Sequence, residues 1–78
     1  MELGEIISRV IGMDRDEITE ESSPATVGKW TSLKHLTLIS AVESAYNVKF
    51  TLSEMKQLRS AGAFLEVLRK KGERDVLL

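Results

Sequence analysis

The sequence predicts an all-α fold: a small bundle of four helices, three long and one short, with a long loop between the first two. Three observations carry this expectation. Apolar residues recur at helical spacing in separate stretches of the chain. One Pro and five Gly among 78 residues give too few turns for a small all-β domain. A hydrophobic content of 42% in so short a chain supports one core and no second domain, so residues 1–78 read as one unit.

Leu3, Ile6, Ile7, Val10 and Ile11 follow the i, i+3, i+4, i+7, i+8 pattern of a one-sided first helix, and Gly12 is placed to end it. From Asp14 to Thr31 the pattern lapses into acids, Ser, Thr and the single Pro. Ile18, Val27 and Trp30 punctuate that stretch and are expected to pin the loop to the body. A loop of this length is uncommon in a compact domain unless it serves a function.

The second helix is expected from Ser32 to Tyr46, with Leu38, Ile39, Ala41, Val42, Ala45 and Tyr46 on an inward arc. Leu33 and Leu36 fall outside that arc. Asn47 to Leu52 reads as a short extended connection in which Val48, Phe50 and Leu52 alternate. Thr51 and Glu54 have the spacing of a capping box for a short third helix, about Ser53 to Leu58. Ser60 is a cap for a last helix, about Ala61 to Lys71, whose Phe64, Leu65 and Leu68 return to the core before Gly72 ends it. The tail 73–78 is expected to fray, unless Val76, Leu77 and Leu78 dock on the body.

Composition removes several classes of function. Without cysteine there is no disulfide, no zinc–thiolate site and no protein thiol nucleophile. A net charge of −1, with eleven basic residues scattered among twelve acidic ones, gives no electrostatic footprint for nucleic acid. A helix-turn-helix reading finds only Lys34 and His35 on its recognition helix. No stretch is long and apolar enough to span a bilayer, and the first residues lack a signal peptide's order, so the expectation is a cytoplasmic monomer.

Ser32 and His35 lie three apart, as a nucleophile and its base might on one helix face. Nothing supplies the oriented carboxylate, oxyanion hole or strained turn that such a pair requires, so the chain does not read as an enzyme. His35 is instead expected to be half-buried with a local hydrogen bond. Asp14, Asp16, Glu17, Glu20 and Glu21 lack the spacing and glycine of a calcium loop and read as solvated, leaving no metal site.

Trp30-Thr31-Ser32-Leu33 ends the polar loop and opens the longest amphipathic stretch. A serine there meets unpaired N–H groups and the positive end of the helix dipole, a favourable place for a phosphate. An ordinary first-turn residue behind a threonine cap is the plainer alternative. The exposed pair Leu33 and Leu36 beside it has the character of a docking patch.

Two segments resemble the acyl and peptidyl carrier proteins. Trp30-Thr31-Ser32-Leu33-Lys34-His35-Leu36-Thr37-Leu38-Ile39-Ser40-Ala41-Val42-Glu43 is similar to the family's Asp-Ser-Leu signature and the apolar-patterned helix that follows. Ser60-Ala61-Gly62-Ala63-Phe64-Leu65 is similar to its entry into the last helix. The resemblance extends over nearly the whole chain. It implies that Ser32 takes 4′-phosphopantetheine from coenzyme A through a phosphopantetheinyl transferase. The terminal thiol of that arm would carry acyl or aminoacyl groups as thioesters, supplying the sulfur this chain lacks.

The resemblance further implies a stand-alone acyl carrier in a specialised pathway of fatty acid, polyketide or lipid biosynthesis. A ligase, synthase or acyltransferase would load it, and Thr31, Leu33 and Leu36 would touch such partners. Thr31 stands where the signature has aspartate, and Lys34, His35 and a lone Glu43 stand where the family presents a strongly acidic helix. The sequence therefore also admits an unmodified interaction module of the same fold.

Overall fold

Side-chain caps set the helix starts in the computed structural model, which describes residues 2–78. Helix α2 spans Ser32–Tyr46 and opens on Thr31, whose hydroxyl accepts the Lys34 N–H at 3.3 Å. Helix α3 spans Leu52–Gln57, one residue earlier than the expected Ser53–Leu58. The capping box fixes that start: the Thr51 hydroxyl accepts the Glu54 N–H at 3.1 Å, and the Glu54 carboxylate accepts the Thr51 N–H at 2.8 Å. The extended connection therefore ends at Thr51, and Leu52 does not continue the alternation. It is 72% exposed, whereas Phe50 is buried.

Helix α4 spans Ala61–Lys70, with the Ser60 hydroxyl accepting the Ala63 N–H at 3.1 Å. It stops one residue short of the expected Lys71, which caps the last turn through its own N–H. Helix α1 spans Leu3–Ile7 and continues through Ser8–Gly12 as a wider π-helical turn, in which the Met13 N–H reaches the Ser8 carbonyl five residues back. Gly12, at φ +83°, ends it as the sequence suggests. Two distant lysines satisfy its last carbonyls. Lys34 Nζ reaches the Ile11 oxygen at 3.0 Å and Lys29 Nζ the Gly12 oxygen at 3.1 Å, each also favourable to the negative end of the helix.

The core lies between α1, α2 and α4. Leu3, Ile7 and Ile11 meet Leu38 and Val42, and Phe64 and Leu68 close it, all fully buried. Each such side chain contributes about 1.5–3 kcal/mol relative to exposure. The inward arc of α2 is narrower than expected. Ala45 is exposed beside an open groove that Ile6, Arg9 and Val10 also line, and Ala41 and Tyr46 are only half-buried.

Ile18 and Trp30 are buried and Val27 half-buried, so the loop is pinned as expected, with a 3-10 turn at Arg15–Glu17. Its backbone is also tied to α4. The Ser22 carbonyl accepts the Ala61 N–H at 2.8 Å and the Glu20 carbonyl accepts the Gly62 N–H at 2.9 Å. A Cβ on Gly62 would stand 3.0 Å from that Glu20 oxygen, so glycine permits the close approach.

The tail docks on the body through its last residues, the second of the two courses the sequence left open. Val76 is buried, the Leu77 carbonyl accepts the Leu3 N–H at 2.8 Å, and the Leu78 carbonyl accepts the Arg15 guanidinium, which also pairs with Glu2 at 2.8 Å. An unpaired N–H at the start of α1 supplies the reason, since it needs an acceptor from elsewhere in the chain. Among the described residues no helix is long and apolar enough to cross a membrane.

Candidate functional site

The loop and the start of α2 meet at Ser32. Thr31 meets the capping needs of α2 twice, through its hydroxyl to the Lys34 N–H and through its carbonyl to the His35 N–H at 2.8 Å. Ser32 is thereby relieved of any structural duty. It is exposed, and among the described residues its hydroxyl has no hydrogen-bond partner. The Ser32 and Leu33 N–H groups likewise find no acceptor there, whereas the first N–H groups of α4 are spent on Ser22, Glu20 and Ser60. The start of α2 thus offers an unused hydroxyl, unused donors and the positive end of a fifteen-residue helix dipole.

One turn further on, His35 accepts the Trp30 indole N–H at Nδ1, 3.0 Å away. Burial pushes the imidazole below its ordinary 6.5, outweighing the opposite effect of hydrogen bonding to the Leu58 backbone. An aromatic row continues inward. The His35 ring lies 6.0 Å from that of Trp30 and meets Phe64 edge-on at 5.8 Å, and Phe64 meets Phe50 edge-on at 6.3 Å. The half-buried histidine with a local hydrogen bond agrees with the sequence reading. Its one acceptor nitrogen is spent, so it cannot serve as a base for Ser32.

Pro24, Ser32, His35 and Leu36 line an open groove of about 380 Å³. Leu33 and Leu36 stand beside it, 74% and 62% exposed, and Thr31 is exposed as well. No carboxylate occurs between Glu21 and Glu43, and Glu43 commits its own to the Phe50 N–H at 2.9 Å. The charged side chains nearest in sequence to Ser32 are Lys29 and Lys34, both bonded to carbonyls at the end of α1.

Pro24 and Lys29 escaped the sequence reading. Their places depend on the path of the loop, set by the Ser22–Ala61 bond, and no local pattern signals it. Among the described residues no group of His, Asp and Glu side chains is disposed to hold a metal ion.

A family model described as a phosphopantetheine attachment site matches residues 2–68, most of the chain. The chain belongs to this phosphopantetheine-binding carrier family. The carrier's fold agrees with a solved relative, the solution NMR structure of the holo acyl carrier protein from Geobacter metallireducens. The two superpose with a TM-score of 0.79 at 33% sequence identity, over 92% of this chain and 83% of that one. No curated protein matches the carrier. It is a carrier and not a catalyst, with covalently attached 4′-phosphopantetheine as its cofactor, and carriers of this kind meet phosphopantetheinyl transferases and biosynthetic enzymes.

Proposed function

We propose that Ser32 is the attachment point of the 4′-phosphopantetheine, and that the chain acts as an acyl carrier in a specialised biosynthetic pathway. The observation that carries this reading is the Ser32 hydroxyl, exposed and unpartnered at the start of α2 while Thr31 alone does the capping. In attachment, Ser32 Oγ forms a bond to phosphorus as the bond from phosphorus to the nucleotide part of coenzyme A breaks. The hydroxyl proton leaves to a base of the transferase, since His35 Nδ1 is already taken by Trp30. Unused N–H groups of Ser32 and Leu33 favour the phosphodiester charge that results.

Once bound, the arm supplies a thiol on which acyl or aminoacyl cargo travels as a thioester, held at high effective concentration near partner enzymes. The chain's own part is to present that arm. Thr31, Leu33 and Leu36 contact the transferase and the loading ligase, synthase or acyltransferase. With no carboxylate in the sequence between Glu21 and Glu43, and Glu43 bonded to the Phe50 N–H, those partners read apolar shape more than negative potential. We place this work in the cytoplasm, by a monomer.

Intact mass after incubation with coenzyme A and a broad-specificity transferase tests the reading. The native chain should gain one phosphopantetheine and Ser32→Ala none. A native chain that gains nothing, or an increment that survives Ser32→Ala, overturns it. The Thr31 cap also supports a second reading, an unmodified docking module, because the fold has no need of the signature aspartate. That module would bind its partner equally well as Ser32→Ala.

A further inference from the structure

Trp30 and His35 are the only tryptophan and the only histidine of the chain, and they bond to each other across the segment that carries Ser32. The bond closes a ring of six residues, Trp30 to His35, with Ser32 inside it. An indole N–H can only donate, so the 3.0 Å contact requires an unprotonated Nδ1 on His35. A second proton would set one N–H against another. His35 also forms a wall of the Ser32 groove and rests edge-on against buried Phe64, so a ring that gives up the bond can turn only toward the groove at Ser32.

We propose that His35 is a positioning residue for the Ser32 hydroxyl, and that it fixes the Trp30–Leu33 turn only as the neutral imidazole, so that one protonation loosens the attachment site. The proposal rests on the reading of Ser32 given above and deepens it.

Among the described residues His35 has no ion pair, and no charged side chain, those of Glu20 and Glu21 in the loop included, contributes to its shift. His35 contacts Trp30 of the loop, the Leu58 backbone and Phe64 of α4, and shares the groove with Pro24. The ammonium groups of Lys29 and Lys34 are committed to the Gly12 and Ile11 carbonyls. On α3 and α4, Glu54 pairs with Lys71 and Glu66 with Lys70, while Lys56, Arg59 and Arg69 are exposed. Burial disfavours the charged form, and no carboxylate offsets it. The turn is therefore closed at neutral pH and opens in mild acid, the range in which histidine commonly acts as a switch.

Because the pair is unique in the chain, proton NMR of the unmodified protein from about pH 8 to about pH 5 reads it without overlap. One transition, with its midpoint below the ordinary 6.5, should be shared by the Trp30 indole N–H and the Ser32 and Leu33 backbone N–H groups. Exchange protection of the indole N–H should fall roughly tenfold across it, the factor set by one net hydrogen bond.

In His35→Asn the side-chain oxygen accepts in place of Nδ1 and does not titrate, so the same resonances should stay flat. In His35→Phe, which cannot accept, they should lie at acid-like positions throughout. A transition that leaves Ser32 and Leu33 unmoved, or one that persists in His35→Asn, overturns the proposal. The attachment reading is scored separately by the mass increment of the native chain at about pH 7.5. Its absence would sink that reading and leave the titration of the Trp30–His35 pair standing.

Discussion

Thr31 and Ser32 are adjacent hydroxyl residues with opposite energetic roles. Thr31 satisfies a backbone N–H that would otherwise be unpaired, so Thr31→Ala should cost about 1 kcal/mol. For a domain of this size that corresponds to a drop of roughly 4–8 °C in melting temperature. Ser32 satisfies nothing in the chain, and Ser32→Ala should change stability by less than about 0.5 kcal/mol. Thermal unfolding of the two variants checks the assignment. Equal losses would mean that the hydroxyl of Ser32 is structural after all.

At the scale of elements, the loop between α1 and α2 belongs to the cooperative fold. Ile18 is buried, and two loop carbonyls accept the first N–H groups of α4. Ile18→Ala should therefore lower the unfolding free energy by about 2–5 kcal/mol, the range for emptying a core site, whereas an undocked loop would give a value near zero. Urea denaturation distinguishes the two.

The loop's anchors were legible in the sequence as isolated apolar residues in a polar run, and the helix starts were legible as capping residues. Their partners were not. The π-helical end of α1 depends on Lys29 and Lys34, and the docked tail on Leu3 and Arg15, all distant in sequence. Leu52 was misplaced because alternation extends through a residue that a cap removes from the strand-like run. The exposure of Leu33 and Leu36 follows from helical phase, and that of Ser32 from its place at the helix start, but the Trp30–His35 bond gives this end of α2 a geometry that neither supplies.

Over the whole molecule, three perturbed groups set the pH range of stability. The folded His35 titrates below its ordinary 6.5, so as pH falls the unfolded chain takes up a proton first. That contribution is whole above 6.5 and is lost as pH falls through the folded value. The hydrogen bond from Lys71, with a second from the Thr51 backbone, holds Glu54 below its ordinary 4.5; this contribution is whole above that value and is lost in stronger acid. Burial, assisted by the charges of Glu73 and Glu2, raises Tyr46 above its ordinary 10.0, so its contribution is whole below that value and is lost as pH rises through the folded one. Urea midpoints should plateau between 6.5 and 10.0 and fall on either side. In His35→Asn the acid edge should retreat toward the carboxylate range; a midpoint curve unchanged from the native one would exclude His35 as its source.

The two ties of the loop to α4, at Glu20 and Ser22, and its burial at Trp30 bracket a short exposed span, turned by hydrogen bonds between Ser23 and Thr26. Pro24 lies in that span and also forms a wall of the groove at Ser32. Exposed residues 24–26 carry none of the core. Lengthening this span beyond its Ser23–Thr26 turn would cost little in loop-closure entropy. The fold therefore keeps the frame of the attachment site separate from one of its walls, so related chains can diversify what approaches the serine without relearning how to fold.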